Sequence, residues 1–117
     1  MPMQRLAPVL ALAASLATGP VLARDADDLR RIPYACDGGG TMEVVFLNTA
    51  GGRSYAFVLM DGEMIVMQAA VSASGARYLS VGGPPTFQFW EAKGRADLVA
   101  LEGDDEVPLR HDCRPSG

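Results

Sequence analysis

The sequence predicts an all-β fold: a small eight-stranded antiparallel β-barrel stapled by one disulfide. Short apolar runs alternate with period two, the spacing that sends successive side chains to opposite faces of a strand. Glycine-rich turns interrupt these runs about every 8 to 12 residues, the rhythm of an all-β domain. The connections are too short for parallel crossovers, which need roughly a dozen residues or more, so neighbouring strands pair antiparallel.

The chain opens with a segment that does not belong to that fold. Arg5 supplies a positive start, the run from Leu6 to Ala17 is apolar apart from Pro8 and Ser15, and Val21-Leu22-Ala23 offers a small-residue cleavage site. Residues 1–23 therefore read as an export signal, too short in its apolar run to span a bilayer, for which about 20 residues are needed. A lipoprotein would carry a cysteine just after that run. None is present, so the expectation is a periplasmic protein without a membrane anchor.

Residues 24–31 form a polar leader, expected to be mobile, and residues 32–117 form the domain. Ile32 to Cys36 is a short first strand. Thr41 to Leu47 alternates, with Met42, Val44 and Phe46 on one face. A loose turn over Asn48 to Arg53 leads to a strand in which Tyr55, Phe57 and Leu59 share a face. Asp61-Gly62 reads as a two-residue hairpin turn into Met64, Val66 and Gln68. Arg77 to Val81 follows, Gly82-Gly83-Pro84-Pro85 breaks the pattern, and Thr86 to Trp90 resumes it. Gly94 marks a turn before Ala96 to Leu101, Gly103 to Glu106 is an acidic loop, and Val107 to Cys113 closes the domain. Met42, Phe46, Tyr55, Phe57 and Met64 are the side chains expected to fill the interior.

Removing 23 residues from 117 leaves 94, enough for one domain. A domain of that size buries only about 60–65 % of the surface its unfolded chain exposes, so a staple is expected. Cys36 and Cys113 lie near the two ends of the domain in an exported chain, where disulfides persist. Closing a loop of 113 − 36 = 77 residues stabilises by about 4.5 kcal/mol in the chain-entropy model. A metal site would need closer cysteine spacing or clustered histidines, and His111 is the sole histidine. Joining the first strand to the last favours a closed barrel, which removes both exposed edges; an open sandwich is the alternative.

The formal charge is −4, and loss of Arg5 with the signal takes it to −5. Clustered Lys and Arg, which phosphate contacts require, are missing, so nucleic acid is disfavoured as a partner and a basic protein is favoured.

Three motifs carry a resemblance. Tyr34-Ala35-Cys36-Asp37, Ser72-Ala73-Ser74-Gly75-Ala76-Arg77-Tyr78 and Trp90-Glu91-Ala92-Lys93-Gly94, with Cys113, resemble the MliC/PliC family of inhibitors of c-type lysozyme. The resemblance implies an eight-stranded barrel, no enzymatic activity, no cofactor and a c-type lysozyme as protein partner. Such lysozymes are typically basic, which suits the charge. Some relatives pair, so a homodimer is compatible with the resemblance. Ser74-Gly75-x-x-Tyr78 matches the family's binding-loop motif, which places Ser74, Gly75, Arg77 and Tyr78 in the lysozyme-binding segment, and Lys93-Gly94 matches its second motif. Carried over, the Ser74 hydroxyl hydrogen-bonds one catalytic carboxyl group of lysozyme and the Lys93 ammonium pairs with the other. Arg77 either contacts the partner or pairs with Glu91, and Tyr78 and Trp90 are expected chiefly to pack. Gly94 is expected to take a positive φ.

Two departures from the family pattern bear on this. Gly82 to Pro85 lengthens a hairpin, and two residues, Glu91 and Ala92, separate Trp90 from Lys93 where the family has one. One extra residue reverses the face of a strand residue, unless the lysine sits in the turn beyond. Outside the family, a barrel holding a small apolar ligand and an envelope protein bound to peptidoglycan are the alternatives. A Ser74, His111 and Asp112 triad has no supporting nucleophile elbow.

Overall fold

A computed structural model describes residues 26–117. The expected export signal lies outside the described residues. Strands β1 (Asp28–Ala35), β2 (Thr41–Asn48), β3 (Ser54–Met60), β4 (Glu63–Ala70), β5 (Ala76–Ser80), β6 (Thr86–Ala92), β7 (Arg95–Glu102) and β8 (Asp105–Pro115) close into a barrel in sequential order. Every neighbouring pair is antiparallel. A single turn of 3-10 helix at Asp37–Gly39 links β1 to β2.

Two hairpins show how the sequence imposes this order. Asp61 and Gly62 have φ of 52° and 81°, and Lys93 and Gly94 have φ of 56° and 77°. Two successive left-handed residues match the right-handed twist of the strands they join, which is why a glycine stands second in each turn.

The interior is filled by side chains. Phe89 lies at its centre, with ring centroids 6.0 Å from Tyr34, 5.9 Å from Phe46 and 6.1 Å from Tyr78. Val44, Ala56, Val58, Met67, Ala96 and Leu98 complete the buried layer.

Strands β3 and β4 reverse the expected facing. Ala56 and Val58 point inward, whereas Tyr55 and Phe57 lie outside, stacked at 6.5 Å between centroids. Both faces of β3 are apolar, so alternation alone does not choose between them. Volume does: with four rings already inside, only small residues fit at β3. The Asp61-Gly62 turn then transmits the choice, because Leu59 pairs with Met64 on the same face. Met64 is 62 % exposed and Met67 is fully buried.

The leader also differs from expectation. Asp28 to Arg31 belong to β1, in register with Asn48 to Val45 of β2. Polarity suggested mobility, but a ladder needs only main-chain N–H and C=O groups. Side chains add to it: Arg31 pairs with Glu43, and the Arg30 guanidinium lies 6.0 Å from the Phe46 ring centroid. At the other end the acidic loop contracts to a turn at Gly103-Asp104, since β8 starts at Asp105.

Closure is narrow. Among the described residues β1 pairs with β8 at Tyr34–Pro115 and Ala35–Arg114, and the Ser116 N–H donates to the Pro33 carbonyl at 2.9 Å just beyond them. The expected disulfide, Cys36–Cys113, lies directly beside these two pairs.

Candidate functional site

The two sequence motifs form adjacent connections at one end of the barrel. β5 pairs with β6 through Ala76–Glu91. The residues just before Ala76 are the β4–β5 loop, Val71 to Gly75, and those just after Ala92 are the Lys93-Gly94 turn. Ser74 and Lys93 are both exposed on this rim. The longer β5–β6 connection carrying Gly82 to Pro85 lies at the other end of the same strands.

Lys93 lies in the turn and not in the strand before it. Glu91 and Ala92 complete β6, and Lys93 takes the first left-handed position of the hairpin. A turn residue is not bound to either sheet face, so the ammonium projects from the rim.

The β4–β5 loop is held by hydrogen bonds to its own main chain. Ser72 Oγ donates to the Ser74 carbonyl at 2.6 Å, and Trp90 Nε1 donates to the same carbonyl at 3.0 Å. Arg77 Nη1 donates to the Val71 carbonyl at 3.1 Å, while Arg77 Nε donates to Gln88 Oε1 at 2.8 Å. Arg77 therefore has Gln88 rather than Glu91 as its side-chain partner. Gly75, with φ of 69°, lies so close to β6 that an added Cβ would stand 2.8 Å from the Ala92 Cβ and would strike the Glu91 carbonyl. Glycine is required there on both counts.

Tyr78 and Trp90 separate. Tyr78 is 7 % exposed and turned into the core, so this motif residue shapes the barrel and has little surface for a partner. Trp90 is 40 % exposed on the outer face, contrary to the packing role expected. It borders a shallow groove of about 520 Å³ lined by Ser72, Ser74, Arg77 and Glu106.

Beneath the rim, Tyr34 and Tyr78 share an environment that disfavours phenolate. Burial, and then the nearby Glu91 carboxylate, push the Tyr34 hydroxyl from its ordinary 10.0 up to about 12, with Arg30 opposing. Tyr78 is raised by the same causes.

Beside the turn, β8 carries a bulge opposite Asp97. Asp97 Oδ1 accepts from the Asp112 main-chain N–H at 2.8 Å and lies 2.8 Å from His111 Nδ1. Asp112 in turn binds Arg95 at 3.0 Å. His111 is thus a partner of Asp97 in a structural bulge and belongs to no Ser74 constellation. Sequence spacing could not show this, because the bulge depends on a residue 15 positions away.

Known proteins align with these features. The family model described as "Membrane-bound lysozyme-inhibitor of c-type lysozyme" matches residues 34–107. A membrane-bound lysozyme inhibitor of C-type lysozyme from Cupriavidus necator is 32 % identical over 89 residues, covering 74 % of this chain and 66 % of that protein, just under two thirds of its length. The crystal structure of the periplasmic lysozyme inhibitor PliC from Salmonella typhimurium superposes with a TM-score of 0.66 at 31 % identity, over 77 % of this chain and all of that one. That of Pseudomonas aeruginosa MliC, solved in complex with hen egg white lysozyme, gives 0.59 at 28 % identity, over 92 % of this chain and all of that one. The motif at Tyr34, the Ser74 loop and the Lys93 turn all fall within the matched span, on a barrel shared with both inhibitors, and the chain belongs to the MliC family of proteinaceous, non-enzymatic lysozyme inhibitors.

Proposed function

We propose that this chain is an inhibitor of c-type lysozyme that acts by obstructing the substrate cleft with the Ser74 loop and the Lys93 turn. The observation that carries the reading is the side-by-side placement of these two connections on one rim, joined through Ala76–Glu91 and the Trp90 bond to Ser74. A lysozyme cleft holds a protonated acid and an ionised carboxylate, both open to sugar. An ammonium is suited to the ionised group, and loss of water on docking strengthens the charge-assisted bond. A hydroxyl both donates and accepts, so it tolerates either protonation state of the acid. Neither group hydrolyses anything in this arrangement; the effect is steric and electrostatic occlusion. The net negative charge favours encounter with a basic enzyme.

Removal of residues 1–23 as an export signal would release the domain to the periplasm, where peptidoglycan needs protection. The direct test is clearing of a bacterial wall suspension by hen egg white lysozyme, with and without the oxidised domain. Inhibition at near-stoichiometric ratio is expected. Undiminished clearing at micromolar excess of the domain would overturn the proposal.

A further inference from the structure

Trp90 combines two features that packing does not explain. It leaves 40 % of a large ring exposed on the outer face of β6, yet its one polar atom is committed to a loop carbonyl 16 residues away. The loop it holds gains little order from burial of its side chains. Val71 is 92 % exposed, and Ala73, Ser74 and Gly75 are exposed as well, so burial does not fix their conformation. A segment with few buried contacts opens at low free energy unless hydrogen bonds restrain it. Here three side chains supply those bonds: Ser72 and Trp90 on the Ser74 carbonyl, and Arg77 on the Val71 carbonyl. Ser72 belongs to the loop and moves with it. Trp90 and Arg77 belong to β6 and β5, and among the described residues theirs are the side-chain hydrogen bonds that tie the loop to the barrel, beside the close approach of Gly75 to β6.

We propose that Trp90, assisted by Arg77, is a positioning residue that holds the β4–β5 loop in its binding-competent form before lysozyme arrives. The proposal rests on the role given to Ser74 above. Binding through a fractionally populated loop conformation weakens apparent affinity by that fraction, so a restraint acting on the free protein raises affinity without touching the partner.

Trp90→Phe keeps the ring bulk and removes the donor. In the free protein, the heteronuclear NOE of the Ala73, Ser74 and Gly75 amides is expected to fall, with the melting midpoint little changed. The Kd for hen egg white lysozyme is expected to rise about tenfold if the competent population drops to about a tenth. In a Ser74→Ala background the same Trp90→Phe change is expected to weaken binding by less than about threefold, because a misplaced methyl group loses little. An equal loss in both backgrounds would mean that the ring touches lysozyme directly, and an unchanged NOE would mean that the loop needs no restraint; either overturns the proposal. If Ser74→Ala alone leaves Kd unaltered, the role of Ser74 falls, and the relaxation measurement decides the restraint by itself.

Discussion

At the scale of single residues, the lysine and the serine make different demands on a partner. An ammonium desolvated against a carboxylate leaves an uncompensated charge when removed, so Lys93→Ala is expected to weaken lysozyme binding by about 2–5 kcal/mol. Ser74→Ala removes one hydrogen bond and is expected to cost on the order of 1–2 kcal/mol. Isothermal titration of both variants checks the order as well as the sizes; a larger loss for serine would move the electrostatic centre of the site elsewhere. As candidates these two positions were legible, because the Ser72 to Tyr78 string and the lone lysine stand out in the sequence. Trp90 was not. A tryptophan next to apolar residues reads as core, and only the register, which pairs it with Arg77 and Asp97 on the outer face, shows otherwise.

At the scale of an element, the β6–β7 hairpin carries the proposed binding group on a turn that asks for another residue. Lys93 at φ 56° occupies a position where asparagine is preferred. Lys93→Asn is therefore expected to hold or raise the melting temperature while losing inhibition, a combination that separates the charge from the fold. A fall in melting temperature equal to that of Lys93→Ala would argue that the lysine side chain supports the hairpin. Turn chemistry made Asp61-Gly62 readable from sequence for the same physical reason. Strand facing was harder. β3 offers Tyr55, Phe57 and Leu59 on one side and Ala56 and Val58 on the other, and the choice is made by rings from β1, β2, β5 and β6 that no local window contains. Ala56→Leu is expected to destabilise by about 1–3 kcal/mol through overpacking, measured by urea unfolding. A neutral result would place spare volume beside Phe46.

At the scale of the whole molecule, the barrel is closed by little among the described residues: two residue pairs between β1 and β8, the Ser116 to Pro33 main-chain hydrogen bond and the disulfide next to them. Both cysteines were evident in the sequence, but the thinness of the seam was not, because it follows from the stagger of strands around the barrel. Tyr34 stands at this seam, paired with Pro115 and packed edge-on against Phe89. Its hydroxyl is raised from 10.0 to about 12, by burial first and by Glu91 second. A phenol with a raised folded value keeps its proton longer in the folded chain than in the unfolded one. Its contribution is therefore whole below pH 10 and is lost as pH climbs from 10 toward 12. The full span corresponds to roughly 2–3 kcal/mol, and Tyr78 acts in the same direction. Urea unfolding with the disulfide intact is expected to show stability falling between about pH 10 and 12, with a shallower fall in Tyr34→Phe. An equally steep fall in that variant would locate the alkaline sensitivity away from Tyr34.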